Sequence, residues 1–321
     1  MRLFFLLFLA VVPALHAEDW QPYDSQLQQF DYSGDALREY WPLLNSAPGL
    51  PHPDQQWLTD FFEQYPAVRQ LSLELAAETD APAALVALLH GDNAPLALAV
   101  ADVWRLHYQG NFQQAYDLGM SLGPAGAIPA LYSKLMYATL LVDERESRLR
   151  LFKEAAEASE KLLPLARENA FARFGLAYAH ARTLEMLDTG DATSSGYLGP
   201  TQQTLYELIE EDPANAMYPA MLGGIHAGVV DRVGSFIGRM TYGSTEKRAL
   251  KAFNDALKNN DQLAVIYYEY AKALGLMDAD EYHDKRLELL SQCTQLTVYS
   301  AEEALNQKAC SGLLVKLQQE Q

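Results

Sequence analysis

From Met221 the chain reads MLGGIHAGVVDRVGSFIGRMTYG (221–243), then ALKAFNDAL (249–257) and YYEYAKAL (267–274). The reading of this stretch decides the fold. Ala249, Phe253 and Ala256 recur at helical spacing and share one helix face. A shift of ~34 residues, the tetratricopeptide period, carries them to His283, Leu287 and Leu290, again on one face. The helix between them puts Tyr267, Tyr270 and Ala271 where paired helices need aromatic and small residues. Gly223 follows Pro213 at the same spacing by which Ala271 follows Asp261. Two independent coincidences point to a degenerate helical repeat.

Working outward, residues 94–122 read as another helix pair. Val100, Val103, Trp104 and Leu106 form the first face, Tyr108 to Phe112 the turn, and Ala115 opens the second helix. Gly110 suits the turn, and Ala115 lets the helices approach closely. Asp54 is placed to cap a helix carrying Trp57, Leu58, Phe61 and Phe62. Further helical patterns cover 67–78, 81–90, 128–142, 143–163, 169–187, 200–211, 280–292 and 301–317. Asp188 to Gly199 reads as an interior loop by its turn residues, and Ser33 as the cap of a short helix over 34–44. No run alternates with period two, so no strand is expected. The fold class is therefore all-α: stacked antiparallel helical hairpins in a tetratricopeptide-like α-solenoid. The expected divisions are a lead over 18–53, helical repeats over 54–190, and further repeats over 200–321 that contain the glycine-rich insertion.

Residues 1–17 have the form of a cleavable export signal: Arg2, an apolar run from Leu3 to Leu15, and Ala17 at the cleavage position. That run is short for a bilayer span, and no later segment is long and apolar enough. The expected location is a bacterial periplasm, with secretion as the alternative. Asp and Glu number 42 against 24 Lys and Arg, for a formal charge of -18. So acidic a surface repels nucleic-acid phosphate and anionic lipid. Hydrophobic residues at 49% allow a sizeable core. The two cysteines, Cys293 and Cys310, are either bridged or two buried thiols. A simple hairpin turning near Val298 would leave Cys310 roughly 10 Å from register, unless the last helix starts late.

The candidate site lies in the quoted stretch. Gly223, Gly224, Gly228, Gly234 and Gly238 each cost a helix about 1 kcal/mol against Ala, and close helix packing is the usual compensation. His226 is either a packed, hydrogen-bonded histidine or a ligand group. Arg232 and Arg239, seven apart on one expected face, either neutralise nearby carboxylates or bind a carboxylate of a ligand or partner. Tyr242, Tyr267 and Tyr270 complete the candidate set, as groove aromatics or as core. No metal-ligand spacing, nucleophile elbow or phosphate loop occurs, and neither catalysis nor a cofactor is expected.

With RMTYGSTEKRALKAFNDAL (239–257) and IYYEYAKAL (266–274), the chain from about Pro200 to its end resembles the T-component family of TRAP transporters. These are periplasmic tetratricopeptide-like proteins. The resemblance implies a helical scaffold that associates with a periplasmic solute-binding protein and with copies of itself. It carries over no catalytic residue. The chain departs from the family in having no lipobox cysteine, and its N-terminal region is not covered. The expected function is a non-catalytic interaction scaffold that presents a concave surface and is accessory to solute uptake. The alternative is a protein that binds an organic acid or apolar ligand in a pocket around His226, Tyr242 and Tyr267.

Overall fold

A computed structural model of the protein describes residues 20–47 and 49–320. The export signal expected at 1–17 lies outside the described residues. Among these there are 16 α-helices and no strand. The first four are α1 (Ala36–Leu44), α2 (Gln55–Gln64), α3 (Pro66–Ala76) and α4 (Ala83–Val86). Then come α5 (Ala94–Tyr108), α6 (Phe112–Ser121), α7 (Pro124–Leu140), α8 (Arg145–Leu162), α9 (Ala170–Met186) and α10 (Thr189–Ser195). The last six are α11 (Leu198–Glu211), α12 (Met217–Tyr242), α13 (Glu246–Asn259), α14 (Ala264–Met277), α15 (His283–Thr294) and α16 (Ala301–Gln319).

From α5 onward the helices alternate between two layers. α5, α7, α9, α12, α14 and α16 each touch the next in that series, while α6, α8, α11, α13 and α15 pack outside and between them. The fold is thus the expected stack of helical hairpins. The inner series does not stay open, however, because α16 also touches α5 and α7. The ring closes, and the free concave groove expected of a solenoid is consumed by the chain's own last helix. His107 on α5, Tyr132 on α7 and Glu302 on α16 meet at the closure, with Glu302 accepting from His107 Nε2 at 3.1 Å and from the Tyr132 hydroxyl at 2.9 Å. What remains at the centre is a cavity of about 40 Å³ between inner helices, room for about one water molecule.

Local chemistry accounts for most helix boundaries. Asp54, Glu144, Asn169, Thr245 and Ser300 each accept a backbone N–H of the first turn that follows. Each such cap satisfies donors that a helix start leaves orphaned. Leu58, Phe61 and Phe62 of α2 are buried as their spacing requires, as are Ala249, Phe253, Ala256 and Leu290. Two expectations fail. Helix α1 begins at Ala36, and Ser33 does not cap it with its side chain; the Ser33 N–H is instead held by Asp31 Oδ1 at 2.9 Å. Residues 188–199 are not a loop. Asp188 caps α10 through the Asp191 N–H, and Thr193, Ser194 and Ser195 turn their hydroxyls back onto backbone carbonyls. The residues that signal a loop here satisfy one another within a short helix, which stops at Gly196 in the left-handed region.

The lead ties the two ends of the ring together. Trp20 stacks on Tyr116 and Tyr137, the Tyr32 hydroxyl donates to the Tyr299 carbonyl, and Asp24 pairs with Lys308 at 3.0 Å. Gly110, at φ +85, lies where the lead, the α5–α6 turn and the start of α16 converge. A Cβ there would sit 2.7 Å from Tyr23 Cβ and 2.9 Å from Ala301 Cβ. Both backbone and space therefore demand glycine. Gly110→Ala is expected to cost about 2 kcal/mol from left-handed strain and overpacking, checked by urea denaturation; an unchanged midpoint would refute this account of the junction.

Cys293 and Cys310 are bonded, with Cα atoms 6.3 Å apart. Of the two alternatives, the bridge is the one found, and the reason lies in the connection. Residues 295–300 are non-helical and α16 starts only at Ala301. Six extended residues reach up to ~20 Å, enough to carry the start of α16 beyond the end of α15. The second and third turns of α16 then meet that end, where Gln307 Nε2 donates to the carbonyls of Cys293 and Leu296.

Candidate functional site

The glycine-rich helix α12 is the longest in the molecule among the described residues, and its glycines serve three purposes. Gly223 is a packing glycine, as expected: a Cβ there would lie 2.7 Å from the Phe253 ring. Gly234 breaks the helix, with φ 76 and ψ 161. No insertion loop follows; residues 235–242 form a helical arm that doubles back. At Gly238 a Cβ would lie 3.2 Å from the Ser244 carbonyl oxygen and 3.5 Å from Val229 Cγ1, so the arm rests against the body of its own helix. Gly224 and Gly228 belong to neither group. A Cβ on either would meet nothing within 4 Å.

Both face a cavity of about 290 Å³ walled by α9, α10, α11 and α12. Its wall is mainly apolar, with Ala181, Leu184, Ile225 and Val229 among the lining residues. Arg232, Val233 and Tyr242 line it at the elbow, so the arm springs from its rim and returns to it. Arg232 donates from Nη2 to the Glu185 carbonyl at 2.8 Å. Beyond the rim the arm exposes Phe236, Ile237 and Met240, at 71%, 50% and 68% of their full accessible surface. Three large apolar side chains adjoining on one short arm are an exposed patch of the kind that marks contact sites.

The six candidate residues do not form one site. Arg232 and Tyr242 line the elbow cavity. Arg239 is exposed on the arm, and the break at Gly234 removes the shared helical face expected for it and Arg232. His226 is buried on the other side of α12, 2% exposed, with Nδ1 2.9 Å from Ser244 Oγ and Nε2 3.3 Å from the Tyr206 hydroxyl. Burial, and then the nearby Arg248 cation, push its pKa down to about 4. It is a neutral tie between α11, α12 and the start of α13, not a group of the elbow cavity. Tyr267 and Tyr270 lie in the C-terminal core. The Tyr267 hydroxyl donates to the Asp261 carbonyl, and the Tyr270 ring stacks on Phe253 at 4.7 Å. The expected pocket around His226, Tyr242 and Tyr267 is therefore not assembled.

Beside the cavity a half-buried ionic cluster joins α9 to α14, with Arg182 and Glu269 at its buried end. Arg182 holds Glu185 through two contacts of 2.9 Å and Glu269 through one of 2.8 Å, and Lys272 holds Glu269 at 3.1 Å. Burial pushes the Glu269 carboxyl up, but Arg182 and Lys272 outweigh it and hold the pKa at about 2. Nothing in the sequence signals this cluster, because its members stand 87 residues apart.

One further constellation has the outline of a hydrolytic triad. Ser133 Oγ is 3.0 Å from His107 Nδ1, whose Nε2 is 3.1 Å from Glu302. Ser133 and His107 are fully buried, and the serine hydroxyl donates to the Pro129 carbonyl at 2.9 Å. The serine lines neither the central cavity nor the elbow cavity, and the constellation ties α5, α7 and α16 together at the closure of the ring. No group of three or more His, Cys, Asp and Glu placed to hold a metal occurs among the described residues. No helix among them is long and apolar enough to cross a membrane. Compared with protein-family models and with curated proteins, the chain matches none.

Proposed function

We propose that this protein is a non-catalytic interaction scaffold of the exported compartment, accessory to solute uptake of the TRAP type, and that it docks its partner on the α12 elbow. The carrying observation is the exposed apolar patch of Phe236, Ile237 and Met240 on an arm set off by Gly234. Ring closure fills the inner groove that open helical arrays use, and the elbow sets three exposed large apolar side chains within five residues of one another. Arg239, exposed on the arm, is a cation in a strongly acidic protein, and it favours a partner with carboxylates facing it. A periplasmic solute-binding protein is the proposed partner; a second copy of this chain is the alternative.

The test is a paired pull-down from cross-linked periplasm with the wild type and with Phe236→Asp/Met240→Asp. Both side chains are exposed, so the variant keeps its fold. A solute-binding protein is expected with the wild type and reduced about 30-fold or more with the variant, the loss typical of a central anchor. Equal recovery by both proteins would remove the elbow from the reading. Recovery of no solute-binding protein by either would remove the transport role.

A further inference from the structure

The elbow cavity has features that a docking arm alone does not require. Gly224 and Gly228 lie in the interior of a helix, where each costs about 1 kcal/mol against Ala. A glycine that lets helices approach explains itself by what its missing Cβ would strike. These two would strike nothing within 4 Å, and both face the cavity. Their missing side chains leave the space open, at a cost in stability that helix packing does not offset. The wall opposite is also built from small residues, Ala181, Ala192 and Gly196 among them.

One end of this apolar space carries a charge. Arg232 lines the cavity and forms one hydrogen bond, to a main-chain carbonyl, and no ion pair among the described residues. Its remaining guanidinium N–H groups are uncommitted, and the Tyr242 hydroxyl beside the same cavity has no hydrogen-bond partner among the described residues. The one carboxylate lining the space, Glu185, is neutralised by Arg182. A guanidinium with free donors and a phenol on the wall of one cavity are donors suited to a carboxylate.

We propose that the elbow cavity binds a single-chained carboxylate. Its aliphatic tail lies against Gly224, Gly228, Ile225 and Val229, and its head is held by Arg232 and the Tyr242 hydroxyl. At about 30 Å³ for each water-sized atom, 290 Å³ holds about ten non-hydrogen atoms, the size of octanoate. The proposal rests on reading the elbow as the functional centre, but not on partner docking, which is scored separately on Phe236 and Met240.

The test uses the full mature protein in titration calorimetry and thermal melting at neutral pH, with octanoate, octan-1-ol and octylamine as probes. Octanoate is expected to bind at least ten-fold more tightly than octanol, and octylamine not at all. Arg232→Gln removes the ten-fold preference for octanoate while octanol affinity stays within two-fold. Gly228→Leu places a side chain in the cavity; it is expected to abolish binding of both probes and to melt at or above the wild-type temperature, since it replaces an interior helix glycine. Gly224→Leu serves in its place if Gly228→Leu does not fold. Absence of octanoate binding at millimolar concentration overturns the proposal. So does full binding by a folded leucine variant, or an unchanged octanoate preference in Arg232→Gln. None of these results bears on the pull-down.

Discussion

Replacing Glu269 by Gln is expected to destabilise the protein by about 3–5 kcal/mol, the loss seen when one partner of a buried ion pair is removed. The side chains of Arg182 and Glu269 are only 11% and 17% exposed. The variant keeps the shape of the residue but leaves two cations, Arg182 and Lys272, without their shared carboxylate between α9 and α14. The same group sets a pH dependence. Glu269 is held at about 2 in the folded chain against 4.5 for the free side chain. Because the folded value is depressed, its contribution is complete above pH 4.5 and is lost as pH falls towards 2. Urea denaturation of both proteins at neutral pH and across this acid window measures both effects. Equal stability at neutral pH, or an identical acid slope in the two proteins, would show that the cluster contributes nothing net.

Removing the Cys293–Cys310 bridge, by reduction or by Ala at both positions, is expected to cost about 3 kcal/mol. The bonded residues are 17 apart in sequence, and closing a loop of that size removes about this much free energy of disorder from the unfolded chain. The effect reaches further than one helix pair. Helix α16 closes the ring through Glu302, and the bridge anchors α16 to α15 at two buried residues. Denaturation with and without reductant, together with Cys293→Ala/Cys310→Ala, should give matching losses. An unchanged midpoint after verified reduction would refute the estimate.

The fold was legible in the sequence wherever it depends on local spacing. The faces of Ala249, Phe253 and Ala256, the cap at Asp54 and the turn at Gly110 are all set by residues within a turn or two of one another. Helix α10 was hidden because Thr193, Ser194 and Ser195 are loop formers on average and satisfy their hydroxyls within the helix only once Asp188 caps it. Of the candidate site, Arg232 and Tyr242 do line one cavity, yet five glycines in one run do not disclose which one takes a positive φ. The residue that did, Gly234, redirects the arm, separates Arg232 from Arg239 and exposes Phe236 and Met240. His226 is near them in sequence, but the helix presents it to the opposite side, against Ser244. The latch between His107 and Glu302 spans 195 residues, and no window of sequence contains both.

That latch changes what kind of object the array is. Open helical repeats behave as one-dimensional stacks in which units melt from the ends and units are gained or lost by duplication. Here α16 is bonded to α5 and α7, where the two-layered series begins, so neither end of that series is free to fray. The arc has one permitted length: deleting a hairpin would leave Glu302 short of His107, and adding one would carry it past. The molecule is therefore quantised in a way its degenerate repeats do not suggest. Its long-range closure also delays the last step of folding until nearly the whole chain has been assembled.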